Sequence, residues 1–160
     1  MEWFREEHYK IPASHPSKGR GILFTHIPIP EYLDLWNNAA IAGTKNEGVA
    51  CGAVNTGVFA ALKEQPTVEW VTCGHDHNND YWGHYQGINL AFGRKTGFGS
   101  YGPAPFVRGA RIFEFTEAPY SVDSWIREDG GNLLRQDSLR QRGFLDLSEN
   151  SCLGLISRWD

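Results

Sequence analysis

Cysteine is scarce in this 160-residue sequence: Cys51, Cys73 and Cys152 stand far apart, and none belongs to a Cys-x-x-Cys pair. An odd number at such spacing indicates neither a disulfide framework nor a thiolate zinc site, and Cys73, inside an apolar run, reads as a small buried residue. Long apolar runs are missing too, since no stretch approaches the roughly 18 residues of a membrane span. The N-terminal stretch MEWFREEHYKIP is too charged for a signal peptide, so the sequence assigns no compartment. Charge of one sign is not in excess. With 15 Lys and Arg against 19 Asp and Glu, the net charge of -4 gives no general pull toward nucleic acid or an anionic membrane, and neither is expected as a partner. No internal repeat is visible.

What is present points to one mixed domain. A chain of this length with 41% hydrophobic and 13% aromatic residues can bury one real core but not two. Six Trp, nine Phe and 18 Gly favour strands and tight turns over a helical bundle. After a polar lead over residues 1–18, Ile22-Leu23-Phe24 reads as a short buried strand ending at Thr25-His26. Pro28 and Pro30 stop that strand and precede a helix in EYLDLWNNAA, where Leu33, Trp36 and Ala40 share a face. Residues 43–52 read as a loop or surface flap. A second helix is expected from about Thr56, with Asn55 as a capping residue and Pro66 as its stop, followed by a strand in TVEWVTC. DYWGHYQ and INLAF flank Gly87 as a hairpin. GRKTGFGSYGPAP is a glycine-rich loop, and GARIFEF and SVDSWIRE are further strands, the last turned by Asp129-Gly130-Gly131. From Leu133 the sequence turns polar and loses its period, so residues 133–160 are assigned as a tail of uncertain order.

Chemistry gathers where two of these strands stop. His26 closes the first, and Gly74-His75-Asp76-His77 follows the second, in a protein with six histidines. Ligands in α/β sheets collect outside the carboxyl ends of strands, so three imidazoles at two such ends are placed to converge on a metal. Gly74 is expected to allow a sharp exit from the sheet and close backbone approach to a ligand. Asp76 and Asp80 either orient imidazole N–H groups or are plain loop carboxylates. His8, His15 and His84 read as solvated, and Trp36, Trp70, Trp82 and Trp125 as core. Arg94 and Lys95 either bind a phosphate-bearing substrate or are a solvated basic pair. Phe98 and Tyr101 either wall a pocket or cover the sheet edge.

The words FTHIPIPEY, VTCGHDHNNDYWG and NLAFGRKTGFGSYGP together resemble the C-terminal half of the calcineurin-like metallophosphoesterases, most closely the purple acid phosphatase-like branch. The resemblance covers about residues 20–130. It implies an α/β fold in which one sheet with flanking helices, over residues 19–132, forms part of an α/β/β/α sandwich. It further implies two metal ions (iron, zinc or manganese) per complete site, with His26 and His75 on one and His77 on the other. The implied reaction is hydrolysis of a phosphate monoester by metal-activated hydroxide attacking phosphorus. Imidazole ligands suit those metals, whereas an oxygen-only site suits magnesium or calcium.

The departures from that pattern carry equal weight. The family also requires Asp-x-His, Gly-Asp-x-x-Asp and Gly-Asn-His-Asp/Glu, and none occurs in this sequence. Missing with them are the aspartate that bridges two cations and the histidine that protonates the leaving group. The expectation is therefore half of an active centre, completed by an N-terminal half or a complementing chain. The alternative is a catalytically inactive fragment, or a binding or regulatory relative that retains a partial metal site. A structural zinc finger is disfavoured by the cysteine spacing.

Overall fold

A computed structural model describes residues 2–15, 20–102, 106–139 and 152. The described elements run in the order α1 (Glu2–Lys10), β1 (Gly21–Phe24), α2 (Glu31–Asn38), β2 (Ile41–Ala42), α3 (Val58–Glu64), β3 (Val68–Cys73), β4 (Trp82–Tyr85), β5 (Ile88–Phe92), β6 (Gly109–Glu117), β7 (Tyr120–Glu128) and β8 (Leu133–Leu134). Five strands form a mixed sheet in the order β1-β3-β5-β4-β2, and β6-β7-β8 form a separate antiparallel sheet. The fold is α/β, with helices on one face of the larger sheet and the smaller sheet on the other.

Alternation along β3 shows why both faces are covered. Val71 and Cys73 point into the main core with Leu90 and Phe92 of β5, Tyr32, Leu33 and Leu35 of α2, and Phe59 and Leu62 of α3. Trp70 points the opposite way, with its ring 5.3 Å from that of Trp82 and 5.5 Å from Phe113 on β6. A strand buried on both faces needs apolar residues at odd and even positions, and VEWVTC supplies them. The Tyr32 hydroxyl donates to the Val71 carbonyl at 2.8 Å, which satisfies the one polar atom that α2 pushes under the sheet. The α2 helix stops at Asn38, so its buried face is Tyr32, Leu33 and Leu35, and Ala40 lies beyond it.

The β4–β5 hairpin turns at Gln86 and Gly87, both left-handed at φ 47° and 90°. Two such residues form the turn whose twist matches the strands, as expected from Gly87. His84 sits opposite Asn89 in this hairpin, exposed, with Nδ1 3.1 Å from the Asn89 side-chain oxygen. Asn55 accepts from the Gly57 amide at 2.9 Å and so forms the turn ahead of α3, which begins at Val58.

Three features differ from the sequence reading. The polar lead contains the helix α1, which buries none of its residues. β8 pairs Leu133 and Leu134 with β7, so the ordered part continues past residue 132, while residues 140–151 and 153–160 lie outside the described residues. Cys51 and Cys152 form a disulfide across 101 residues with a Cα separation of 5.2 Å, a pairing that the number and spacing of the cysteines did not indicate. Spacing alone carried no sign of it, because the pair is made by folding. Cys73 is the free, buried thiol. Among the described residues no helix is long and apolar enough to cross a membrane.

Candidate metal centre

Parallel pairing sets the site. β1 and β3 are neighbours, with Phe24 opposite Thr72, so both chains leave the sheet at the same edge. Thr25 continues the ladder with its amide on the Thr72 carbonyl at 2.8 Å, and the His26 carbonyl then accepts from the Gly74 and His75 amides at 3.2 and 3.0 Å. Pro28 and Pro30 lack amide donors and prevent the ladder from running further. Because one carbonyl clamps both exits, the two imidazoles leave the sheet side by side. His75 Nδ1 lies 3.2 Å from His26 Nε2, and the ring centroids are 5.0 Å apart.

That separation bears on metal binding. Two nitrogens each about 2.0–2.1 Å from one ion, at angles between a right angle and the tetrahedral one, lie about 3 Å apart. The observed pair is within that geometry, and 3.2 Å equally suits a hydrogen bond between the two rings, with the proton on one of the nitrogens. His77 faces a different neighbour. Its ring is stacked on Tyr101 at 4.1 Å between centroids and 19° between planes, with Nδ1 3.1 Å from the Tyr101 carbonyl oxygen. Among the described residues no group of three or more His, Cys, Asp or Glu is arranged to hold a metal, so the histidines alone do not complete a ligand set.

The acids and amides of the same loop bind residues 43–52 as a strap. The Asp76 carboxylate accepts from the Ala50 amide at 3.2 Å, Asn79 Oδ1 from the Asn46 and Glu47 amides at 3.0 and 3.2 Å, and Asp80 Oδ1 from the Thr44 amide at 2.7 Å. Glu47 returns the contact by accepting from the Asn78 amide at 2.6 Å. Asp76, Asn79 and Asp80 are all buried, and the strap amides supply hydrogen bonds to polar groups that burial takes out of water. Burial pushes the Asp76 carboxyl up to about 6, against the opposing pull of the Ala50 amide. Of the two roles open for Asp76 and Asp80, then, the structure shows a third: they anchor the strap.

Arg94 and Lys95, read either as substrate-binding or as a solvated basic pair, are buried and bound to protein groups. Arg94 pairs with Asp80, with Glu128 at 3.0 Å and with the Val107 carbonyl at 2.7 Å, and its guanidinium lies 3.6 Å over the Phe106 ring. Lys95 donates to the Ser100 and Tyr101 carbonyls. Burial, and then the nearby Arg108, lower its ammonium pKa. Arg111 was not singled out by sequence reasoning, yet it joins the layers by donating to the Phe92 and Asp80 carbonyls at 2.6 Å each. Burial pulls it down to about 10, which leaves it charged at neutral pH. The signal for it was only an arginine in an apolar strand.

Within the protein itself nothing crowds Gly74. Its φ is not left-handed, and an added Cβ would meet nothing within 4 Å. The space beside it opens outward, and a cleft of about 280 Å³ runs from Gly74 past Thr25, Thr96 and Arg111 to Phe24 and Phe113.

Strand-end histidines on an α/β sheet, two of them in contact, form the candidate site. Comparison with known proteins narrows the class. No family model and no solved structure matches the chain. It is 34% identical over 143 residues to "Probable inactive purple acid phosphatase 29" of Arabidopsis thaliana, covering 84% of this chain and 37% of that protein. It is 32% identical over 113 residues to "Probable inactive purple acid phosphatase 14" of the same plant, covering 71% and 28%. Over 92 residues it is 30% identical to "Phosphatase DCR2" of Saccharomyces cerevisiae, covering 50% and 16%. The chain is thus a homologue of purple acid phosphatase-like proteins, and it spans well under half the length of each of these relatives.

Proposed function

We propose that this chain supplies the histidine side of a dinuclear, metal-dependent phosphoesterase centre. His26 through Nε2 and His75 through Nδ1 hold one metal, and His77 holds the other. The observation that carries the reading is the 3.2 Å approach of His26 Nε2 to His75 Nδ1, at two strand exits joined through the His26 carbonyl. When bound, the metal pair supplies Lewis acidity that activates water and neutralises phosphoryl oxygens. The chain's own residues hold the imidazoles: the His26 carbonyl fixes two strand exits, and the strap fixes the loop that bears His75 and His77. Arg94 and Lys95 serve the scaffold under the site in this reading. Carboxylate ligands and the proton donor for the leaving group come from polypeptide beyond this chain, as the span of the relatives allows.

A second reading has its own support. Two of the similar proteins bear "inactive" in their names, and the carboxylate motifs are missing here, which favours a non-catalytic relative with a partial metal site. Elemental analysis after loading with iron, zinc or manganese, together with phosphomonoester hydrolysis, separates the two. Metal retained by the chain and lost in His75→Ala supports the centre. Turnover that appears only when a polypeptide carrying the missing motifs is added supports the enzyme, and retained metal with no turnover under that condition supports the non-catalytic relative.

A further inference from the structure

We infer that Tyr101, anchored by Glu47, is a positioning residue that fixes the tautomer and plane of His77 and presents its Nε2 outward as the ligand atom. The inference rests on the reading of His77 as a metal ligand and goes beyond it by naming what aims the ring.

The geometry is a closed circuit between three segments far apart in sequence. The Tyr101 carbonyl faces His77 Nδ1 at 3.1 Å. A carbonyl only accepts, so this contact requires the proton on Nδ1 and leaves the Nε2 lone pair free. The Tyr101 ring covers one face of the imidazole and so sets its plane. The Tyr101 hydroxyl donates to Glu47 Oε2 at 3.0 Å and lies 3.4 Å from the His77 amide, while Glu47 Oε1 accepts from the Asn78 amide. Glu47 therefore holds the tyrosine and the residue after His77 at once. Lys95 donates to the same Tyr101 carbonyl, whose two lone pairs serve both donors, and so keeps that oxygen in place. The Ser100 hydroxyl stands 3.5 Å from Nδ1, too far to compete with the carbonyl.

Packing alone does not explain this tyrosine. Its side chain belongs to a residue that is 56% exposed, in a glycine-rich loop, and contributes little to the core. A residue whose hydroxyl meets Glu47 and the His77 amide, and whose carbonyl meets His77 Nδ1 and Lys95, is arranged for the histidine. Ligating imidazoles characteristically donate their second N–H to a fixed acceptor, and loss of that acceptor weakens metal binding.

The test uses the full chain with ¹⁵N-labelled imidazoles, without metal and at a pH where histidines are neutral, followed by addition of Zn²⁺ alone. Long-range ¹H–¹⁵N correlation should show His77 protonated at Nδ1 in the native chain, with a weaker Nδ1 preference in Tyr101→Phe, which keeps the stack but loses the bond to Glu47. In Tyr101→Ala and Glu47→Ala it should show exchange between tautomers, with zinc affinity, measured by chelator competition, reduced about 10-fold or more. Backbone amide spectra confirm that each variant remains folded. A native chain with His77 protonated at Nε2 overturns the inference, as does an unchanged tautomer in folded Tyr101→Ala. If the tautomers behave as stated but zinc leaves the His77 ring signals unmoved, the reading of His77 as a ligand fails, and with it the positioning role.

Discussion

Arg94 offers the sharpest test of how the layers beneath the site are held. Its side chain is 5% exposed and those of its partners Asp80 and Glu128 are 2% and 9% exposed, so all three charges lie out of water. Replacing Arg94 with leucine keeps apolar bulk over Phe106 but takes the paired guanidinium from the Asp80 carboxylate, which among the described residues keeps the hydrogen bond from the Thr44 amide. Breaking a buried pair from one side costs about 3–5 kcal/mol, because the unpaired charge stays behind. With a urea m-value of about 2 kcal/mol/M for a domain of this size, the unfolding midpoint should fall by about 1.5–2.5 M. Asp80→Asn added to Arg94→Leu removes the stranded charge and should recover about 1 kcal/mol or more, a coupling expected of groups in contact. Equilibrium urea unfolding followed by tryptophan fluorescence reads both values. An Arg94→Leu midpoint within about 0.5 M of the native chain would refute the reasoning and return the guanidinium to a ligand-facing role.

Three further outcomes follow from the same geometry. Asn79→Ala frees the Asn46 and Glu47 amides from the strap and should cost about 1–3 kcal/mol in the same unfolding assay, whereas an unchanged midpoint would show the strap to be held otherwise. Gly43→Ala places a Cβ 2.8 Å from the Asp80 carbonyl oxygen and 2.7 Å from Tyr81 Cα at a φ of 100°, and should lower the urea midpoint. The strain there exceeds about 1 kcal/mol, and a neutral substitution would mean the strap does not pass so close. Cys73 is buried, and burial raises its thiol pKa well above the ordinary value, so it should resist iodoacetamide in the native chain and react after urea unfolding. Prompt native-state labelling contradicts its place under α2.

Local chemistry made the strand ends legible. VEWVTC is apolar on both faces and is buried from Trp70 onward, whereas Ile22-Leu23-Phe24, read as a buried strand, is half-buried with Phe24 exposed; prolines and a glycine close the two, and of the histidines just beyond, His26 and His75 meet while His77 turns to Tyr101. The hairpin at Gly87 was equally plain, since its turn geometry demands a residue tolerant of positive φ. What could not be read depends on contacts between distant segments. β2 is only Ile41–Ala42, too short to show alternation. Asp76, Asn79 and Asp80 look like any polar loop until residues 43–52 lie across them. Arg94 and Lys95 look solvated because the groups that bury them, Glu128 and the Ser100 and Tyr101 carbonyls, come from other strands and from a folded-back loop. The Cys51–Cys152 pair likewise exists only after folding.

The central claim is that His26 and His75 share one metal ion. X-ray absorption on the chain loaded with a single equivalent of zinc tests it directly, with His26→Ala and His75→Ala alongside. The account predicts nitrogen scatterers at about 2.0–2.1 Å with the outer-shell signature of two imidazoles, reduced by one imidazole in either variant. An unchanged imidazole count in both variants would contradict it.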